Sequence, residues 1–182
     1  NLSVKIQKTS NDTYFRIHDI ATALVDSENT NLKNVISYNY NKNNTYLNIK
    51  SAIYENLREK TNKRYEYIAP DVLFGKSFFS EKYGTLNFTS NALYKNYKVN
   101  KHITSLTNNI IWNPNSTITS KGFVNTVEGN IRNTNYDTKK TTDYKNEGTI
   151  NELSGALSFK SSLPLKKENI GHDKIFIPNF MV

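Results

Sequence analysis

The chain has 182 residues and no cysteine, its formal net charge is +8, and 36% of its residues are hydrophobic. Without cysteine there is no thiolate nucleophile and no cysteine-ligated metal site, and a small disulfide-stapled secreted scaffold is disfavoured. No apolar run approaches the roughly 18 residues that a transmembrane helix needs, which excludes a helical membrane protein. The lysines and arginines are scattered and accompany no glycine-rich phosphate loop, so we expect no nucleic-acid partner.

Polar and apolar residues alternate with a period of two along most of the chain. Leu2, Val4 and Ile6 alternate with polar residues at the beginning of the chain, and the odd positions from Leu153 to Leu165 are mostly apolar. This period places successive side chains on opposite faces of a β-strand. We expect about eight antiparallel strands, drawn from alternating stretches at 2–8, 13–20, 32–40, 45–57, 64–79, 85–99, 102–112, 123–133, 153–165 and 174–182.

The segments between these stretches carry the signals of turns and loops. Residues 41–44 predict a tight turn, because Asn tolerates left-handed backbone. Residues 21–30 and the polar stretch 137–148 are predicted loops, and 166–173 is a predicted charged connection. Pro70 interrupts its strand and predicts a bend, a bulge or a sheet edge, because proline cannot donate to the ladder.

Several predicted strands run for 10 to 13 residues, and short turns alternate with longer polar loops. Transmembrane strands need about 9–11 tilted residues with half of them facing a polar lumen. The fold class is therefore predicted to be all-β, with antiparallel up-and-down strands forming part of a large outer-membrane β-barrel. A soluble β-sandwich, a lipocalin-like barrel and a β-solenoid use the same alternation, although no fixed repeat unit supports a solenoid.

No combination of residues predicts a catalytic site, a cofactor site or a metal site. His18, His102 and His172 are far apart in sequence and lack metal-ligand spacing. Glu55 and Glu59 are interpreted as solvated charge. Trp112, beside Asn113-Pro114, is either an interfacial anchor or an ordinary aromatic residue at a hairpin end. We expect no enzymatic activity and no cofactor.

Two stretches resemble a known family: EYIAPDV at 66–72 and YGTLNFTSNALY at 83–94. They are similar to the barrel domain of the lipopolysaccharide-assembly family LptD, also called the organic-solvent-tolerance family, which has a proline-marked strand, a short turn and a G-x-L-x-F-x-S-x-A strand. NDTY at 11–14 resembles that family's D-D-T-Y hairpin. SLPL at 162–165 and FIPNFMV at 176–182 resemble a later strand pair of the same barrel.

The resemblance implies an outer-membrane translocon that assembles lipopolysaccharide at the surface of a Gram-negative bacterium. It also implies the outer-membrane bilayer, an LptE-like plug lipoprotein and the periplasmic Lpt bridge as partners. Residues 1–182 would then be a partial barrel domain truncated at both ends, without the family's jellyroll, lateral gate or disulfide cysteines. Lys50, Arg132 and Lys160 are expected to face the lumen and to meet anionic groups of the lipopolysaccharide, with ordinary lumen polarity as the alternative.

Two other functions remain open on the sequence alone. A porin or a TonB-dependent receptor is a channel-type barrel with the same strand pattern, and a plug domain in place of a jellyroll would distinguish the receptor. A soluble β-binding module or an enzyme would instead retain its fold without detergent. Because a sheet cut from a barrel has two open edges, we expect the segment not to fold alone.

Overall fold

The computed structural model describes residues 1–18, 30–59, 63–98, 100–141, 147–169 and 172–182. These residues form an all-β fold in which antiparallel up-and-down strands build one large sheet, as the alternation predicts. The elements are β1 (Leu2–Lys5), α1 (Tyr14–Ile17), β2 (Asn31–Lys42), β3 (Thr45–Asn56), β4 (Tyr65–Ser80), β5 (Gly84–Tyr97), β6 (Lys101–Asn113), β7 (Thr117–Ile118), β8 (Val124–Lys139), β9 (Gly148–Ser162), β10 (Leu165–Asn169), β11 (His172–Phe176) and β12 (Asn179–Met181).

Neighbouring strands of the large sheet follow the order β1-β2-β3-β4-β5-β6-β8-β9-β12, with β7 paired to β8 beside this path. Strands β10 and β11 form a separate two-stranded sheet. Among the described residues, seven strands contain 12 to 16 residues each. These lengths exceed the strand length of about 5–6 residues that is common in globular sheets.

The hairpin of β2 and β3 confirms the turn predicted at residues 41–44. Lys42 pairs with Thr45 at the end of a continuous antiparallel ladder. The two turn residues Asn43 and Asn44 have φ angles of 49° and 59°. Positive φ at both central positions is the geometry of a type I′ turn, which matches the twist of the flanking strands.

The strand predicted at residues 13–20 is wrong, because the structure places helix α1 at Tyr14–Ile17. The Asn11 side-chain oxygen accepts hydrogen bonds from the backbone N–H and the hydroxyl of Thr13, and the Asn11 carbonyl accepts one from the N–H of Tyr14. These local bonds replace a strand ladder. Strand β1 pairs with β2 instead. The predicted loop at 21–30 lies outside the described residues except for Thr30.

Pro70 lies inside β4, and the Ala69–Pro70 peptide bond is cis. Strand β4 lies between β3 and β5, so Pro70 does not mark a sheet edge. Other sequence-based boundaries shift in both directions, and β9 begins at Gly148, before its predicted start at 153. Strand β8 continues to Lys139, which is beyond the predicted end at 133 and inside the predicted loop at 137–148. The predicted connection at 166–173 instead contributes to the β10–β11 hairpin.

The chain divides into two compact units. The first contains Asn1–Gly75, Ser90–Thr107 and Thr134–Glu152, and the second contains Lys76–Thr89, Asn108–Asn133 and Leu153–Val182. Five hydrophobic side chains are buried in the described part of the chain, and all five belong to the first unit: Leu32, Ala52, Leu57, Ile103 and Tyr136. Five buried hydrophobic side chains are few for the number of residues that the structure describes.

Candidate functional site

Large hydrophobic side chains are exposed on every long strand of the sheet. They include Ile131, which is 55% exposed, and Leu157, which is 75% exposed. Soluble proteins expose single apolar side chains routinely, whereas a contiguous apolar surface usually marks an interface with a partner or a membrane. Further examples come from five other strands: Ile36, Ile49, Phe78, Leu86 and Leu106.

Within the first unit, the strand register gathers these side chains on one face of β1, β2 and β3. Residues directly opposite each other in an antiparallel pair point to the same side of the sheet. Tyr38 of β2 lies opposite both Leu2 of β1 and Ile49 of β3. Val4 lies opposite Ile36 in the same way. We call this side of β1–β3 the apolar face.

The opposite side of β2 and β3 is more polar, although it also carries Val35 and Ala52. Ser37 lies opposite Lys50, and Asn39 lies opposite Asn48. The Asn48 amide donates a hydrogen bond to the Asn39 side-chain oxygen. We call this side of β2–β3 the polar face. Towards the turn, polar residues here are paired with one another, whereas Val35 lies opposite the buried Ala52 further along the same side.

Lys50 extends this pattern to β4. Its ammonium group donates to the Asp71 carboxylate at 2.9 Å, with both side chains about one-quarter to one-third exposed. Tyr46 lies four residues before Lys50, on the same side of β3, and its ring covers Gly75 of β4. An ion pair and a covered glycine therefore fill the polar face beside β4. Further along, Lys95 contacts Glu66 at 3.1 Å.

The second unit shows the same alternation on its own strands. Ile110 and Trp112 of β6, Ile131 of β8 and Leu157 and Phe159 of β9 are exposed hydrophobic residues at every second or fourth position. The intervening positions on β9 are polar or small. In this unit, too, large hydrophobic side chains are exposed on one side of the strands.

The three residues predicted to face a lumen lie on the polar positions of their strands. Lys50 belongs to the first unit and is ion-paired with Asp71. Arg132 and Lys160 belong to the second unit and are exposed. Arg132 follows the exposed Ile131, and Lys160 follows Phe159, so each basic side chain points away from its apolar neighbour. Whether they face a lumen stays a prediction.

One polar cluster was not predicted from the sequence. Arg64, just before β4, donates from Nε to Glu55 at 2.6 Å and from both terminal nitrogens to Asp12 at 2.6 and 2.9 Å. The hydrogen bonds to Asp12 and then to Glu55 raise the pKa of the Arg64 guanidinium. The same hydrogen bond from Arg64 lowers the pKa of the Asp12 carboxyl. The cluster ties the turn before α1 to the β3–β4 connection.

The described histidines do not assemble a metal site. The rings of His18 and Tyr14 are 4.6 Å apart, and His102 lies 3.4 Å from Asp137, which also accepts a hydrogen bond from Thr149. The side chain of His172 lies outside the description. Among the described residues, no group of three His, Cys, Asp or Glu side chains is suitably placed to hold a metal ion.

Trp112 lies at the end of β6, where either an interfacial anchor or an ordinary hairpin-end aromatic residue is expected. Its indole nitrogen donates to the carbonyl of Tyr83 in the β4–β5 turn at 2.9 Å. The side-chain amide of Asn115 donates to the carbonyl of Glu81 in the same turn. These two bonds hold the β4–β5 turn against the end of β6.

Within the described ranges, no helix is long and apolar enough to cross a membrane. Comparison of the sequence with models of known protein families and with curated proteins finds no match.

Proposed function

We propose that this chain forms part of the wall of an outer-membrane β-barrel that takes part in lipopolysaccharide assembly. The observation that carries the proposal is the distribution of side chains between the two sides of the sheet. On β1–β3 most of the apolar face is exposed, with only Leu32 at its end fully buried, whereas the polar face holds hydrogen-bonded asparagines and the Lys50–Asp71 ion pair. A strand in a barrel wall directs apolar residues to lipid and polar residues to the lumen.

Physical chemistry favours lipid over water on the apolar face. Removing apolar surface from water contributes about 25 cal/mol of stability for each Å². A soluble sheet with this face in water would lack that contribution. In a bilayer the same side chains contact acyl chains. The backbone groups of the inner long strands β3, β4, β5, β6 and β8 need no water, because a long strand on each side satisfies them through the sheet ladder.

The length of the strands is consistent with the same proposal. A tilted transmembrane strand uses about 9–11 residues. Each of the seven long strands has at least 12. The excess residues would extend beyond the hydrocarbon region, where polar residues such as Asn41 and Lys42 are readily solvated.

The role in lipopolysaccharide assembly depends on the resemblance of 66–72 and 83–94 to the LptD family and on the chemistry of the polar positions. Lipopolysaccharide has an anionic polar part, which suits a lumen carrying Lys50, Arg132 and Lys160, and an acyl part, which suits lipid. An LptE-like plug lipoprotein and the periplasmic Lpt bridge would be the protein partners. A porin or a TonB-dependent receptor would have the same type of barrel wall but would not transport lipopolysaccharide.

The membrane orientation can be tested with single cysteines, because the chain has none of its own. The neighbouring residues Asn48 and Ile49 lie on opposite sides of β3, so Asn48→Cys and Ile49→Cys form a matched pair. In phospholipid vesicles, we expect a water-soluble maleimide to label position 48 and a lipid-soluble maleimide to label position 49. Rapid labelling of position 49 by the water-soluble reagent would contradict the proposal.

The cargo requires a separate experiment in Gram-negative cells. When the protein is depleted, we expect lipopolysaccharide to disappear from the cell surface while uptake of small solutes is retained. The porin or receptor alternative predicts the reverse, namely reduced solute uptake with normal surface lipopolysaccharide.

A further inference from the structure

A groove of about 430 Å³ lies on the second unit across the three neighbouring strands β6, β8 and β9. The side chains of Ile110, Trp112, Ile131 and Leu157 form its walls, and Gly129 and Gly155 leave its floor open. Its volume falls within the range of about 300–1,000 Å³ that is typical of ligand sites. None of the residues that line it is charged.

The two glycines are not required by the backbone or by close packing. Neither Gly129 nor Gly155 has a positive φ angle, in contrast to Gly84. A Cβ at position 155 would meet only the Asn130 carbonyl oxygen, at 3.5 Å. A Cβ at position 129 would lie 3.7 Å from the Trp112 ring, which is an ordinary contact distance. Because glycine weakens a strand interior, its presence at both positions needs another reason, and keeping the groove open supplies one.

The chemistry of the groove favours a hydrocarbon occupant. It lies on the face of β6, β8 and β9, whose backbone N–H and C=O groups point within the plane of the sheet, so they offer no ladder to a peptide lying in the groove. A peptide placed there would bury N–H and C=O groups without partners, at a cost of roughly 1–3 kcal/mol for each group. An acyl chain has no such groups and gains from contact with the isoleucine, leucine and indole walls.

We propose that this groove binds one acyl chain of a membrane phospholipid. The inference rests on the proposed function, because it requires the hydrophobic side of β6, β8 and β9 to face lipid. It adds a defined binding position for a single chain to that general contact. The exposed Leu157 and the ring of Trp112 border the chain from opposite strands.

Trp112 provides a reporter inside the groove. It is the only tryptophan in the chain, and its indole is held in place by the hydrogen bond to the Tyr83 carbonyl. Bromine atoms on a lipid acyl chain quench tryptophan emission on contact. The test therefore compares the full chain in phosphatidylcholine vesicles with ordinary chains and in vesicles whose chains are dibrominated.

Gly155→Val fills the groove, and Ser161→Val is its matched control, because Ser161 lies on the same strand and at the same parity outside the groove. We expect strong quenching of the wild type and of Ser161→Val, with most of the lost emission restored in Gly155→Val. Gly155→Ala, which adds only one ordinary contact, should restore less emission and serves if the valine variant does not fold.

The outcomes separate the groove from the membrane proposal. Equal, strong quenching of wild type, Gly155→Ala and Gly155→Val would overturn the acyl-chain site while leaving the hydrophobic surface in contact with lipid. No quenching of Trp112 in any variant would overturn both the site and the placement of this surface in the bilayer.

Discussion

The phenol ring of Tyr46 on β3 lies directly over Gly75 on β4. A Cβ added at position 75 would overlap the Cε1 and Cζ atoms of the ring. Because Gly75 has no side chain, the Tyr46 ring occupies the space where a Cβ would lie. The contact covers the backbone of β4 near the Lys50–Asp71 ion pair, so one aromatic residue and one glycine shape the polar face at this point.

Gly75→Ala is expected to destabilise the fold by about 1–3 kcal/mol, because the Tyr46 ring must move to make room for the methyl group. The free energy of unfolding, measured by denaturant titration of the complete proposed barrel in phospholipid vesicles, would detect the change. Gly155→Ala is the matched control, since a Cβ there makes only an ordinary contact. Equal stability of the two variants would show that the Tyr46 ring does not need the space above Gly75.

Gly84→Ala should be more damaging than Gly75→Ala. Gly84 begins β5 with a φ angle of 79°, and a Cβ there would collide with the backbone of Asn113 and Pro114 rather than with a movable side chain. Strain and collision together predict a loss of about 3 kcal/mol in the free energy of unfolding.

Gly148→Ala separates the two causes of that loss. Gly148 has a φ angle of 92°, but no described atom lies within 4 Å of a Cβ built there. Only backbone strain remains, so we expect a loss of about 1 kcal/mol. If both alanine variants lose the same stability in parallel denaturant titrations, the packing of Gly84 against Asn113 is not important.

The sequence predicts local features of this fold better than distant ones. The Asn43-Asn44 turn was predictable because its cause lies in the turn residues themselves. The end of β8 was missed because its residues after 133 are mostly polar, although Tyr136 and Thr138 become buried once neighbouring strands pack beside them. Burial of a threonine is a property of the assembled sheet and leaves no apolar alternation in the sequence.

The candidate surfaces show the same limit. The alternation of Ile49 with Lys50 indicated two sides of a strand, and the register confirms two sides of different polarity on β2 and β3. The ion pair between Arg64 and Asp12 joins residues 52 positions apart, with no helix or hairpin spacing to suggest it. The sequence-based prediction also places a strand at 13–20, where helix α1 follows Asp12.

The contribution of Asp12 to stability is expected to depend on pH. Hydrogen bonding from Arg64 lowers its folded-state pKa below the ordinary value of 3.8. A lowered pKa means that the ionised carboxylate favours the folded state above about 4 and that this contribution is lost as the pH falls through the lowered value. The folded chain should therefore lose this part of its stability only in acid.

Asp12→Asn provides the measurement. Free energies of unfolding of wild type and variant, compared from neutral pH down to about 2, should differ at neutral pH and converge in acid. The carboxylate of Glu55 continues to bind Arg64 in the variant, which keeps the guanidinium paired. A constant difference across the whole range would mean that the Asp12 carboxylate does not contribute through its charge.

Reversing the charge of the three basic residues on the polar positions should separate structural from transport roles. Lys50→Glu places a second carboxylate beside Asp71, so we expect a loss of stability of about 1 kcal/mol together with any loss of lipopolysaccharide transport. The exchange variant Lys50→Asp with Asp71→Lys restores opposite charges and should recover the stability.

Among the described residues, Arg132 and Lys160 form no ion pair. Arg132→Glu and Lys160→Glu should therefore leave the free energy of unfolding unchanged and reduce only the rate at which lipopolysaccharide reaches the cell surface. Unchanged transport in both variants would remove these two residues from the lumen interpretation, because a reversed charge facing an anionic cargo must alter its passage.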